Sequence, residues 1–254
     1  MKPITRYVLS ATGLVGFLLF WEGATRIGVY LGWFEPHLLP PPSTIPVVLV
    51  DELALEIWQL MVLESLNHYT VGFVLGSIFG LTLGVMVALS PRIEASQAWV
   101  ARILRPIPPL AWIPFAIMWF GITHTAAAFI ISIGIFWVNY FAAMSAVNSV
   151  DKDLIEVARA FGHRNFFSLL RKVIMPGAAP GILAGLRTGL GQGWMTVVAA
   201  ELFGVPGIGL RMNEAAGLLN SQVVVLYMFT IALLYGVSDY VFVAIQTRIL
   251  AWQR

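Results

Sequence analysis

Long runs of apolar residues, separated by short polar stretches, dominate the chain. A helix that crosses a membrane needs roughly 20 mostly apolar residues. Four runs reach this length cleanly: Tyr69–Leu89, Thr125–Val147, Gly181–Phe203 and Val223–Ile245. A further run, Val8–Leu31, carries Glu22 and Arg26 near its far end. Its basic start resembles a signal peptide, but no small-residue cleavage site follows, so we interpret it as an uncleaved first span.

The segment Arg105–Gly121, RPIPPLAWIPFAIMWFG, is apolar but contains four prolines. Each proline inside a helix removes a backbone hydrogen bond and clashes with the preceding turn. Two interpretations stay open: a short crossing, or a re-entrant segment. A broken helix at membrane depth must be surrounded by protein or by a water-filled cavity, so the second interpretation would place this segment against a pathway.

The placement of basic residues indicates how the spans are oriented. Twelve of the 15 Lys and Arg residues fall into four groups, at positions 2 and 6, 92 to 105, 152 to 172, and 248 and 254. The stretch Gly32–His68 has no basic residue and five acidic ones. Because basic loops stay in the cytoplasm, the chain must cross an even number of times between successive groups. This predicts six transmembrane helices, with Arg105–Gly121 as one of them and both termini cytoplasmic.

The composition agrees with one integral membrane domain. Hydrophobic residues make up 59% of the 254 residues and charged residues 11%, against roughly 45–50% and 25% in soluble domains. We expect a single transmembrane domain over residues 1–254, with a core at about 68–248 and an N-terminal span and outer segment at 1–67. The absence of Cys excludes disulfides and Cys-ligated metals. No nucleic-acid patch and no convergent catalytic cluster is recognisable.

Two glycine stripes stand out within the predicted spans. In each, glycine recurs every four residues and therefore lies on one helix face. Such a face lets another helix approach closely in a membrane. We expect the two helices to pack centrally and to contact each other, either as a fixed seam or as a surface on which helices shift. The stripes are Gly72, Gly76, Gly80 and Gly84, and Gly181, Gly185, Gly189 and Gly193.

Residues 151–176, DKDLIEVARAFGHRNFFSLLRKVIMP, hold 8 of the 28 charged residues. Asp151 or Asp153 can cap a short helix with one apolar face, and Gly162 suits its left-handed end. Asn165 can cap a second helix, with Pro176 at its end. From these residues alone, a solvated loop on the membrane surface and a docking motif are both open interpretations.

The same stretch resembles a known signature. EVARAFG followed by VIMPGAAP is similar to the cytoplasmic loop of ABC importer permeases, in which Glu156, Ala158 and Gly162 match. Val157 and Met175 depart from that pattern, and the gap to Pro176 is about one residue longer. The stretches LLPPPSTI, RPIPPLAWIPFAIMWFGI, SVDKDLIEVARAFG and VVAAELFGVPGIGL resemble the subfamily for nitrate, sulfonate and taurine.

This resemblance, which runs from about Leu38 to the C-terminus, implies the fold of type I importer permeases and a set of partners. The loop would be a coupling helix that docks on a dimer of ABC ATPase subunits. The partner ATPase would bind ATP and magnesium, because this chain has no phosphate-binding loop and no cofactor of its own. The resemblance also implies a periplasmic or lipid-anchored solute-binding protein, a second copy of this chain, and the bacterial inner membrane with its lipid. The expected coupling residues are Glu156, Ala158, Arg159, Ala160, Phe161, Gly162, His163 and Arg164.

Charged and polar residues inside the spans suggest further sites. Arg187 and Asp239 are expected at matching depth and to pair, as a structural lock or as a gate, since intramembrane charges are costly alone. Asn139 and Thr196 are candidate pathway residues. Glu201 is expected among the lipid headgroups rather than in the pathway. Glu22 and Arg26 are expected to pair locally. The four histidines (37, 68, 124 and 163) show no metal-ligand spacing and are interpreted as interfacial, so no metal site is expected.

The resulting hypothesis is a permease subunit of an ATP-driven importer for a small solute, such as an alkanesulfonate, taurine or nitrate. A stand-alone secondary transporter is the alternative, and would predict inverted repeats and ion-coupling residues near mid-membrane. A membrane-embedded enzyme is a further rival.

Overall fold

The structure, a computed structural model, describes residues 3–33, 35 and 37–253. Every regular element in these ranges is helical, which confirms the all-α prediction. Lys2 and Arg254, used above to orient the termini, lie outside the described residues, as does the side chain of Arg6. The helices are α1 (Pro3–Tyr30), α2 (Ile45–Ala54), α3 (Ile57–Leu89), α4 (Pro91–Leu104), α5 (Ile113–Phe120), α6 (His124–Asn148), α7 (Lys152–Ala160), α8 (Phe166–Glu201), α9 (Ile208–Gly217) and α10 (Ser221–Ile249).

Four of the described helices are long and apolar enough to cross a membrane: α3, α6, α8 and α10. Helices α3, α6 and α10 contain their runs completely, whereas α8 begins well before its run and ends at Glu201, two residues before the end of that run. Helix α1 is 28 residues long. Large apolar side chains are exposed on several of these helices, including Phe20 of α1 and Val237 of α10. Burial of such surface in lipid is favourable by about 25 cal/mol per Å², so this exposure is typical of a membrane protein.

The segment Arg105–Gly121 is not one regular helix. A helical turn at Pro109–Trp112 leads into α5, which has only eight residues. Helices α4 and α5 together are bent by 90° at the break between them. The prolines explain the break, because Pro108 and Pro109 cannot donate backbone hydrogen bonds and Pro108 is extended, with ψ 148°.

Helix α6 is the centre of the bundle, and both glycine stripes contact it. A Cβ atom on Gly76 of α3 would lie 2.6 Å from the carbonyl oxygen of Ser132 in α6. A Cβ atom on Gly181 of α8 would lie 2.7 Å from Cβ of Ala146, also in α6. The two helices also contact each other, as expected, because the Tyr69 hydroxyl of α3 donates to a backbone carbonyl of α8 at 3.3 Å, but each glycine stripe faces mainly α6. Helical spacing predicts that a face is available, but not which helix fills it.

Candidate functional site

The charged loop between α6 and α8 begins with a short, capped helix. The Asp151 carboxylate accepts a hydrogen bond from the backbone N–H of Asp153 at 2.9 Å, at the start of α7. At the other end, Gly162 has φ +89°, and the N–H of His163 donates to the carbonyl oxygen of Ala158 at 3.0 Å. Glycine adopts this left-handed backbone readily, so α7 ends where the sequence predicted.

The second half of the loop leads directly into a membrane helix. The Asn165 side chain accepts from the N–H of Phe167 at 3.3 Å and caps α8. Helix α8 contains a π-helical turn at Leu170–Ile174, just before Pro176. Pro176 cannot donate a backbone hydrogen bond, so it interrupts the regular α-helical ladder at this turn. The predicted helix, glycine turn and second helix are thus all present, but Pro176 does not end the second helix.

Most of the apolar side of α7 is not covered by the rest of the described chain. Ala158 is buried, whereas Leu154 is 54% exposed and Phe161 is 81% exposed. A ring as large as that of Phe161 is costly to leave in water. Most of the eight expected coupling residues are accessible, with His163 half-buried and Ala158 buried. The exposed members are Glu156, Arg159, Ala160, Phe161, Gly162 and Arg164.

The predicted pair of Arg187 and Asp239 is present and joins α8 to α10. Nε of Arg187 lies 2.6 Å from Oδ1 of Asp239, and Nη2 lies 2.8 Å from Oδ2. This two-pronged geometry is the favoured arrangement of a guanidinium and a carboxylate. Glu22 and Arg26 also pair as predicted, and Glu22 accepts from Ser43 as well, which ties α1 to the segment before α2.

Asn139 and Thr196 lie in the seams around α6. Asn139 is fully buried, and its Nδ2 donates to Oγ of Ser77 in α3 at 2.9 Å. Thr196 is buried too, and its hydroxyl donates to the carbonyl oxygen of Gln192 at 2.8 Å. Both positions indicate helix packing within this chain. Their expected role in a pathway stays a prediction.

A cavity of about 470 Å³ lies beside the broken segment and between α6 and α8. Its lining combines the prolines before α5 with polar side chains of α8. Irregular backbone at membrane depth would require protein or water around it, and this cavity provides such surroundings for the break that the prolines cause. The lining includes Arg105, Pro108, Pro109, Trp137, Thr188 and Gln192.

The sequence predicted that Glu201 lies among the lipid headgroups. In the structure it is instead fully buried at the end of α8. Its Oε2 accepts from the hydroxyl of Ser65 at 2.8 Å and from the backbone N–H of Gly209 at 2.9 Å. The carboxylate therefore satisfies a free N–H in the first turn of α9, where negative charge is also favourable. A Cβ atom at Gly207 or Gly209 would clash with Glu201, so both positions need glycine.

His68 is likewise buried rather than interfacial, and the fold brings it to a second histidine. Nδ1 of His68 is 2.8 Å from Oε1 of Glu201, and Nε2 is 2.7 Å from Nδ1 of His124. Nδ1 of His124 also lies 3.4 Å from Oε2 of Glu64. The interfacial interpretation is therefore wrong for His68, which is buried and paired with His124. The spacing of Glu64 and His68 on one face of α3 was the only local signal of the cluster.

A second buried carboxylate was missed by sequence reasoning. Glu52 of α2 accepts hydrogen bonds from Arg211 of α9 and, at 2.8 Å, from the hydroxyl of Tyr227 in α10. The hydrogen bond to Glu52 raises the pKa of the Arg211 guanidinium above its ordinary value. The sequence showed Glu52 only as one of five acidic residues in Gly32–His68, and nothing in the local pattern distinguished it from its acidic neighbours.

Comparisons with known proteins agree with the motifs of the charged loop. The family described as "Binding-protein-dependent transport system inner membrane component" matches residues 57–253. The taurine transport system permease protein TauC of Escherichia coli K12 is 32% identical, over 98% of this chain and 92% of its own. The bicarbonate transport system permease protein CmpB of Synechococcus elongatus is 31% identical, over 82% of this chain and 77% of its own.

The fold also matches a solved structure. A chain of the MetNI methionine ABC transporter in an inward-facing conformation superimposes with a TM-score of 0.64. The match covers 79% of this chain and 97% of that chain, at 22% identity. At this identity the likeness concerns the fold alone.

Proposed function

The chain belongs to the family of inner membrane components of binding-protein-dependent transport systems, and on that premise we propose that it is the permease subunit of an ATP-driven importer. The observation that carries the proposal is the loop with α7, whose apolar tip at Phe161 is exposed in a chain without a phosphate-binding loop. ATP and magnesium would be bound by a partner ATPase, so this chain is not itself an enzyme. The alternative of a stand-alone secondary transporter finds no support in the family matches.

The directions of the helices support six crossings. Gly72 of α3 faces Ile131 of α6, and Gly84 faces Tyr140, so α3 and α6 run parallel. Two neighbouring parallel spans require an odd number of crossings between them. The one segment available is 91–123, in which the broken stretch Arg105–Gly121, with α5, would supply the third crossing. A re-entrant segment would make α3 and α6 antiparallel.

The length of the broken segment agrees with such a crossing. The guanidinium of Arg105 lies over the ring of Phe141, near the inner half of α6. The same segment ends beside His124, at the start of α6. Phe141 and His124 are 17 positions apart along α6, which corresponds to about 26 Å at 1.5 Å per residue. This length is close to the hydrocarbon thickness of a bilayer. With α1 as the first span, both termini would lie in the cytoplasm.

The two ends of the bundle would then serve different partners. The loop with α7 would face the cytoplasm and dock on the ATPase dimer, with Glu156, Arg159 and Arg164 on the rim of the contact. The opposite end, which includes α2 and α9, would receive the solute-binding protein. Buried Glu52 and half-buried Arg211 hold α2 and α9 together there, so this surface would be firm enough for docking.

The transport path would lie between two copies of the chain. The cavity beside Pro108 and Gln192 is not enclosed by this chain, and a second copy would close it. In the proposed cycle, ATP brings the ATPase subunits together and the docked loops move with them. The spans rock outward, the binding protein releases solute into the path, and hydrolysis returns the spans to the inward-facing state.

The proposed solute is a small anion or a small molecule with an anionic oxygen group. Taurine, named for one relative, carries a sulfonate, and bicarbonate, named for another, is itself a small oxyanion. Selection among such solutes would rest mainly on the binding protein.

The first test is co-purification of the tagged chain from native membranes in mild detergent. Phe161→Asp places a charge at the exposed loop tip without opening a cavity. Leu218→Asp is the matched control, because Leu218 is 78% exposed at the opposite end of the bundle. We expect an ATPase to co-purify with wild type and with Leu218→Asp, and to be lost with Phe161→Asp.

Reconstitution into liposomes completes the test. Uptake should require ATP and the binding protein. A chain that purifies alone and transports solute in response to a proton or sodium gradient would contradict the proposed function. Equal ATPase recovery with wild type and Phe161→Asp would instead contradict only the docking site.

A further inference from the structure

Three side chains that could bind a metal ion meet at the end of the bundle where α3 and α6 begin. They are Glu64 and His68 of α3 and His124 of α6, and their ligand atoms all lie within 4.8 Å of one another. Two imidazole nitrogens and one carboxylate oxygen form a donor set suited to zinc and similar divalent transition metals. We propose that Glu64, His68 and His124 bind one such ion.

Glu201 prepares the cluster for a metal. Its buried carboxylate faces Nδ1 of His68 at 2.8 Å and therefore holds the ring proton on that nitrogen. The lone pair of Nε2 then points toward His124 and Glu64. A carboxylate behind a ligating histidine is the usual way in which proteins fix the ring and raise its basicity toward a metal. Ser65 and Gly209 in turn hold Glu201, so His68 is a rigid ligand.

The His124 side chain must shift slightly to make room for the ion. Its Nδ1 is 2.7 Å from Nε2 of His68, the distance of a hydrogen bond. Two nitrogens on one tetrahedral zinc ion stand about 3.3 Å apart, from Zn–N bonds of roughly 2.0–2.1 Å. The His124 side chain is 54% exposed and can move outward by this small amount. The proton on Nδ1 of His124 can move to Nε2 of the same ring, because a neutral imidazole exists as either tautomer. Nδ1 of His124 is then free to bind the ion.

The surroundings leave room for an additional ligand. A cavity of about 320 Å³ adjoins both rings and is lined in part by Asn67 and Ser132. A water molecule there would complete a four-coordinate ion. The metal would tie α3 to the start of α6, beside the end of α8. Binding of a metal by these three residues is independent of transport. The location of the site on the outer side of the membrane rests on the orientation proposed above.

The test is zinc binding by the full-length chain, purified in detergent with a tag that lacks histidine and treated with a chelator. Isothermal titration with Zn²⁺ should give one strong site per chain, and Mg²⁺ should give none. Co²⁺ should produce the intense visible absorption of a tetrahedral site. His124→Ala and Glu64→Gln should each raise the Kd for Zn²⁺ at least tenfold, since loss of even an outer partner costs roughly 10–100-fold.

His37→Ala is the matched control, because His37 is an exposed imidazole outside the cluster. It should leave the affinity and the Co²⁺ spectrum unchanged. Elution volume and helical circular dichroism establish that each variant is folded. Zn²⁺ binding that is equal in wild type, His124→Ala and Glu64→Gln would overturn the proposal. Absence of a strong site in wild type would overturn it too, and would reduce the two histidines to a hydrogen-bonded pair.

Discussion

The guanidinium of Arg187 and the carboxylate of Asp239 lie side by side, with Nε 2.6 Å from Oδ1 and Nη2 2.8 Å from Oδ2. The two residues are on different membrane helices, α8 and α10. Each charge would be unfavourable in the membrane without the other. The pair therefore holds α10, which buries little of its surface, against the rest of the bundle.

Reversing either charge should destabilise this helix contact. We expect Arg187→Asp and Asp239→Arg each to lower the melting temperature in detergent, because like charges then face each other. The double swap should restore most of the loss. Arg248→Asp, near the exposed end of α10, serves as the control. A double variant no more stable than the single ones would show that the pair does not hold the helices together.

The close approach of α3 and α6 should not tolerate added volume. Gly76→Ala would bring Cβ within 2.6 Å of the Ser132 carbonyl oxygen and 2.9 Å of Ile135 Cβ. Overpacking of this kind costs about 1–3 kcal/mol. Gly236→Ala, with no atom within 4 Å of the new Cβ, should be neutral or stabilising by about 0.5–1 kcal/mol. Unfolding in mixed micelles measures both, and equal effects would contradict a tight seam.

Removal of the Glu201 carboxylate should be far more damaging than removal of an exposed one. Glu201→Ala leaves Ser65, His68 and the Gly209 N–H without their acceptor, at about 1–3 kcal/mol for each buried group. Glu214→Ala removes a carboxylate that is 53% exposed and should cost within about 0.5 kcal/mol. The yield of folded protein and its denaturation midpoint test this. Similar values for the two variants would be evidence against the buried role.

The glycine turn after α7 should be sensitive to any side chain. Gly162 has φ +89° and open space around it, so Gly162→Ala introduces backbone strain of about 1–2 kcal/mol without a clash. The equilibrium constant for local opening of the loop should rise about fivefold to thirtyfold. Trypsin cleavage at Arg159 and Arg164 reports this opening. Gly217→Ala, also in open space but without the left-handed backbone, should leave the rate unchanged.

Much of the membrane architecture follows from local sequence features. The runs around α3, α6, α8 and α10 are apolar enough to be recognised. Asp151 and Asn165 cap the helices whose starts they predicted, and Gly162 adopts the left-handed backbone predicted for the end of α7. The Arg187–Asp239 pair was also predictable, because two isolated charges at matching depth have few other partners. The Arg105–Gly121 segment was recognised as irregular, but the 90° angle between α4 and the helical part of this segment was not.

Other features depend on residues that the sequence does not connect. His68 and Glu201 are 133 positions apart, and His68 and His124 are 56 apart. Glu52 appeared to be one of several acidic residues in an outer loop. Its burial depends on Arg211 and Tyr227, which arrive from two later helices.

By itself, the sequence determined the apolar helices, their helical faces and the capped loop, because hydropathy, helical periodicity and capping act within a few residues. Only the tertiary structure decided which faces meet: both glycine stripes against α6, and Glu201 behind His68 and His124. The physical reason is that a glycine face requires a closely packed helix, and a buried carboxylate requires hydrogen-bond donors. The packing of the whole bundle determines which helix and which donors occupy these positions.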